Sequence, residues 1–218
     1  MTTFPNSPRL LKGGIVLLDP RTERVQQVIT LQYNPDSLSR TLQVQTVESS
    51  GGDRSQALRL TGPPVETIKL EAEIDAADQL EFPDQNRDTV QFGIYPHLAA
   101  LEALVYPTNA QLLNQKALAE SGQLEIAPIE TPLAVFVWSK SRVLPVRITE
   151  FSVTEEAFNP DLNPLRAKVS LGMRVLNVND LGFNHKGGNL FMIYHQQLES
   201  LAKRYKGGML STLGIQKI

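Results

Sequence analysis

The chain has 218 residues, 41% of them apolar and 20% charged, with a formal net charge of −2 and a sequence pI near 6.0. These values describe a globular chain that can bury its own core. They exclude the usual basic nucleic-acid binder, since the largest cationic group is Lys203, Arg204 and Lys206, placed to serve a helix C-terminus. The absence of cysteine excludes thiol catalysis, thiolate metal sites and disulfides, and fits a reducing cytoplasm.

Residues 1–6 do not carry the basic-then-apolar order of a signal peptide, and no run of about 18 apolar residues predicts a membrane span. The N-terminal half reads as strands. Residues 14–19 form a short apolar run that stops at Asp19-Pro20-Arg21-Thr22, a turn in which Pro20 fixes φ. Residues 25–33 follow as the hairpin partner, with Ile29, Leu31 and Tyr33 expected on one buried face, and Asn34-Pro35-Asp36 breaks that strand. Another strand is expected over 41–47. Residues 48–64 then turn polar and glycine-bearing, longer than most connections within a domain and therefore a functional candidate.

Residues 66–75 give the clearest strand. Ile68, Leu70, Ala72 and Ile74 alternate with Thr67, Lys69, Glu71, Glu73 and Asp75, one face dry and one wet. Over 94–106 the period becomes helical (Ile94, Leu98, Leu101, Leu104, Val105), with Pro96 suited to a first turn. A second short helix is expected over 109–121. Strands return over 133–138, 143–154 and 167–175, the last alternating through Ala167, Val169, Leu171, Met173 and Val175. Six or seven strands around one main helix make an α+β fold, mainly β. The tail, 189–205, is helical by period with Leu190, Tyr194, Leu198, Leu201 and Tyr205 on one face, and it ends at Gly207-Gly208. Such a stripe must be buried, against its own domain or against a neighbouring subunit.

No catalytic constellation emerges. His97, His185 and His195 have no metal-ligand spacing, and His97 reads as a core or boundary residue of its helix. There is no Gly-x-Ser-x-Gly elbow. The three Lys-Gly-Gly triplets, at Lys12, Lys186 and Lys206, lack the phosphate-loop pattern and read as loops or helix ends. Glu71, Glu73 and Asp75 read as a solvated strand face, and Glu155-Glu156 as a wet turn. The chain is therefore expected not to be an enzyme and to need no cofactor or metal.

Four segments carry a family resemblance. Residues 31–40 contain Tyr33-Asn34-Pro35 followed by Leu38; residues 58–64 (Leu-Arg-Leu-Thr-Gly-Pro-Pro) lead into the 66–75 strand; residues 132–138 end at Trp138; and residues 151–158 precede Asn163-Pro164-Leu165-Arg166-Ala167. Their order and spacing over about 10–178 resemble the tube-domain family of contractile injection systems, which includes baseplate proteins bearing a peptidoglycan-binding LysM module. Here a helix and a short tail stand where that module would be, so glycan binding is not carried over.

The resemblance implies a tube-protein-like small β-barrel or sandwich over 1–178, with one flanking helix and a C-terminal helical extension over 179–218. It implies a homo-oligomer closing as a hexameric ring, with sheet edges pairing between subunits. The expected role is an adaptor joining the inner tube protein to the spike hub and other baseplate proteins, and initiating the tube. Assembly would be cytoplasmic, within a particle that is membrane-anchored or released, with no nucleic acid and no direct membrane insertion. Ring-stacking contacts are expected at Ser49, Gly51, Asp53, Arg54, Leu58, Arg59 and Leu60, and partner contacts at the stripe Leu190, Tyr194, Leu198, Leu201 and Tyr205. Alternatives are a tube-terminating or cap-proximal ring, the bulk tube subunit, and, from another class, a glycan- or peptidoglycan-binding module. Against the last stands the single tryptophan, Trp138, set in an apolar strand.

Overall fold

Seven antiparallel strands form one sheet in a computed structural model that describes residues 10–46, 59–121, 129 and 131–217. The strands are β1 (Gly14–Leu18), β2 (Val25–Thr30), β3 (Leu38–Gln43), β4 (Val65–Asp75), β5 (Leu133–Ser139), β6 (Arg142–Phe158) and β7 (Pro164–Val175). Their order is β2-β1-β5-β6-β7-β4-β3. The β1–β2 hairpin is as expected, and Asp19 holds its turn by accepting from the Arg21 and Thr22 backbone N–H groups. Those hydrogen bonds to the charged form, that from Thr22 foremost, lower the Asp19 pKa.

The sheet is open: β2 and β3 are its two edges, which corrects the barrel half of the barrel-or-sandwich expectation. It is nevertheless strongly curled. On a flat sheet β2 and β4 would lie five strand spacings apart, about 24 Å. Yet Gln32, two residues past β2, hydrogen-bonds the backbone of Asp75 at the end of β4. Residues 31–37 can cross from one edge strand to the other because the curl brings those edges together.

The core fills the inside of the curl. Period-two strands supply it: Ile15 and Leu17 from β1, Phe136 from β5, Leu144 and Val146 from β6, Val169, Leu171 and Met173 from β7, and Ile68 through Ile74 from β4. Each large side chain so buried contributes about 1.5–3 kcal/mol.

Six helices are described: α1 (Ala77–Leu80), α2 (Arg87–Phe92), α3 (Tyr95–Glu102), α4 (Asn109–Glu120), α5 (Val178–Leu181) and α6 (Lys186–Ala202). The expected single main helix is thus α3, which stops at Glu102 and buries Leu98 and Leu101 in the core. Pro96 takes a first-turn position, while His97 is exposed on the rim of a cleft and is no core residue. The second short helix is present as α4, started by a reciprocal Thr108–Gln111 capping box. The stretch α1–α2 was not legible, since its turns are too short to show a period and only Thr89 within them is buried.

Three strand expectations shift. β3 begins at Leu38, which packs on the core, and ends before the exposed Val44. β6 runs on to Phe158 through irregular pairings with β7, so Glu155-Glu156 lies in a strand and not in a turn. Tyr33 is 42% exposed, which corrects its expected core position: β2 ends at Thr30, so the alternation lapses after Leu31.

Candidate interface surfaces and the family motif

The Asn-Pro segment works as a splice between separated parts of the chain. Asn34 lies outside any strand, so its amide is free to imitate a backbone. Its Oδ1 accepts from the Gly13 N–H at 2.9 Å and its Nδ2 donates to the Leu11 carbonyl at 2.8 Å. Gln32 does the same on the other side, donating to the Asp75 carbonyl at 2.7 Å and accepting from the Asp75 N–H at 3.0 Å. Between them the Tyr33 hydroxyl donates to Asp78 at 3.2 Å. Burial first, then that hydrogen bond, push the phenol pKa up. Asn34→Ala removes two partners from the backbone entering β1 and is expected to cost about 1–3 kcal/mol, read as a lower urea midpoint with an unchanged slope.

Asp75 is the hub where distant motifs meet. Besides Gln32, it caps Ala77 through Oδ1 at 2.7 Å and takes Arg166 on Oδ2 at 2.6 Å. Pro164 and Leu165 add backbone contacts beside it. The Pro164 carbonyl accepts from Ile94 at 2.8 Å, and the Leu165 carbonyl accepts from Ala76 at 2.8 Å. Leu165 packs on the core, as does Trp138, whose ring stacks on Phe136 at 5.9 Å. Tyr33, Asn34, Leu165 and Arg166 thus belong to one joint, which sequence reasoning singled out in part. It missed Gln32 and Asp75 as partners, because Asp75 read only as one of three solvated acids.

Of those acids Glu71 and Glu73 are exposed as expected, and Glu73 belongs to a ladder of ion pairs on the wet face. Lys168 reaches Glu73 and Glu156 at 3.8 and 3.6 Å, and Lys69 bridges to Glu150 at 2.6 Å beside Gly172. Gly172 is needed there, because a Cβ would stand 2.8 Å from that of Glu150. Among the described residues no group of three His, Cys, Asp or Glu side chains could hold a metal ion. None of the described helices is long and apolar enough to cross a membrane.

Of the expected stacking residues, Ser49, Gly51, Asp53, Arg54 and Leu58 lie outside the described residues. Arg59 and Leu60 are exposed on a stem that extends the β3–β4 hairpin, closed by the Thr46–Leu60 bridge and the Thr61 N–H to Gln45 carbonyl bond.

The terminal helix divides in two. Its first half docks on its own domain: Phe191 and Tyr194 are buried in the core cluster, Leu190 is half-buried, and the helix packs on β6. Tyr194 is tied further by Arg40, whose Nη2 donates to the phenol oxygen at 2.8 Å while its Nε donates to the buried Glu66 at 2.6 Å. Burial first, then the Glu66 charge, raise the Tyr194 pKa. Leu198, Leu201 and Tyr205 are not covered, at 40%, 51% and 80% exposure. The five expected contact residues therefore do not act as one stripe.

The sheet thus carries ion pairs across the wet face of β4, β6 and β7, and the chain leaves its C-terminal apolar side chains uncovered. The chain belongs to the contractile injection system tube protein family, whose model matches residues 15–178. It is a structural tube protein of a phage-tail-like machine. No curated protein matches. Among solved structures it is similar to a chain in the tail of an empty gene transfer agent (GTA) particle refined helically with C6 symmetry: 11% identity, 75% of this chain and 90% of that chain, TM-score 0.30. It is also similar to a chain of the native GTA virion: 12% identity, 76% of this chain and 91% of that chain, TM-score 0.30. The family match carries the assignment.

Proposed function

We propose that this protein closes into a hexameric ring that joins the inner tube to the spike hub at the baseplate and starts tube assembly. The observation that carries this reading is the segment beyond the family match, 179–218. Half of its helix is buried in the tube domain, and the rest is left uncovered, from Leu198 through Leu213. The family match stops short of this segment, and an uncovered apolar end suits a subunit that meets neighbours beyond its own fold. In the ring, the free edges β2 and β3 are available for pairing between copies. Ring-stacking contacts are assigned to Ser49, Gly51, Asp53, Arg54, Leu58, Arg59 and Leu60, of which Arg59 and Leu60 are exposed on the stem of the β3–β4 hairpin. Assembly takes place in the cytoplasm as part of the particle.

Deleting the gene and imaging purified particles tests this. Loss of both tubes and sheathed particles is the expected result. Particles of abnormal length would instead assign a tube-terminating ring, and intact particles would overturn the structural role at the baseplate.

A further inference from the structure

We infer that the basic, apolar C-terminal tail of one copy docks on the acidic helical segment α1–α3 of a neighbouring copy. The tail, residues 200–217, carries Lys203, Arg204, Lys206 and Lys217 and no acid, a charge of +4. Its apolar side chains Tyr205, Met209 and Leu213 are 80%, 77% and 75% exposed. Residues 77–106 carry Asp78, Glu81, Asp84, Asp88 and Glu102 against Arg87 alone, a charge of −4. Phe82, Val90, Phe92 and Tyr95 are each at least 44% exposed there. Among the described residues, neither the four tail cations nor Glu81, Asp84, Asp88 and Glu102 take part in any salt bridge. Both surfaces thus combine uncovered apolar side chains with unpaired charge, and the charges are equal and opposite. Elsewhere on the sheet, Glu73, Asp75, Glu150 and Glu156 already have partners, and Glu71 and Glu155 are exposed without a salt bridge but lie among the cations of the ladder strands rather than beside uncovered aromatic side chains.

Within one chain both surfaces stay uncovered, so the contact is one between copies. The Arg40–Glu66–Tyr194 link roots α6 at the start of β4, whereas Asp78 follows the end of that strand. A contact between two different surfaces of identical subunits is head-to-tail, the kind that closes rings when its rotation permits. Opposite charge sets the register and rejects tail-on-tail pairing, and apolar burial supplies the affinity.

This inference rests on the ring reading only in that copies must meet, and its test separates the two. The chain has no cysteine, so one full-length copy carrying Leu213→Cys and another, differently tagged, carrying Val90→Cys can be co-expressed in cells that assemble the particle. They are then joined with a short bis-maleimide. A cross-linked species containing both tags is expected. Lys203→Glu, Arg204→Glu and Lys206→Glu together should lower its yield about tenfold, the effect of some 1.4 kcal/mol. Adding Glu81→Lys, Asp84→Lys and Asp88→Lys on the other copy should restore it. No mixed product, an insensitive yield, or a cross-link only within one chain carrying both cysteines would overturn the contact. Rings seen without the cross-link would remove the contact and leave the ring.

Discussion

Gly93→Ala is expected to destabilise the protein by about 3 kcal/mol or more. Gly93 has φ +61° and ψ −134°, a combination that belongs almost to glycine alone. That backbone strain costs about 1–3 kcal/mol. Space is lacking as well, because a Cβ would stand 2.1 Å from the Pro164 carbonyl oxygen. The same carbonyl accepts the Ile94 N–H, so moving it away breaks the hydrogen bond that seats α3 on the start of β7. Ile94, Leu98 and Leu101 would lose their fit in the core with it. Urea denaturation followed by circular dichroism measures the loss. A change below about 0.5 kcal/mol, the range of an ordinary surface substitution, would show that the backbone here does not need glycine.

The strands were legible in the sequence because burial on one face leaves a period of two, and β4 and β7 keep it almost without a break. The curl was not. It follows from strand order, which no local pattern encodes, and only then does the short 31–37 crossing become a constraint. The joint at Asp75 was half legible: the Asn-Pro segment and Arg166 stood out as motifs, but their meeting point comes from a third segment. Glu66 carries a signal in the sequence, as an acid at the start of the run 66, 68, 70, 72, 74 that faces the core. The excess of acids over 77–106 was equally readable, though without the fold nothing connected it to the cationic tail.

Glu66 makes Arg40 the second position of large effect. Arg40→Leu is expected to cost about 3 kcal/mol, because it strands a carboxylate 5% exposed and takes a donor from the Tyr194 hydroxyl. Breaking a buried pair on one side is far more costly than replacing both sides. Arg40→Leu with Glu66→Leu should therefore recover at least half of the loss, since the desolvation of Glu66 vanishes along with the attraction. Hydrogen exchange locates the effect. In the single variant, protection should fall in the first half of α6, where Tyr194 is held, while the β1–β2 hairpin at the other edge of the sheet is spared. The consequence reaches assembly, because this link fixes the direction in which the tail leaves the domain. The single variant should consequently lose tail-mediated contacts before it loses its fold, and the double variant should regain stability without regaining that direction. Equal costs for single and double variants would mean that the pair is screened by solvent, and that α6 is held by Phe191 and its packing on β6 alone.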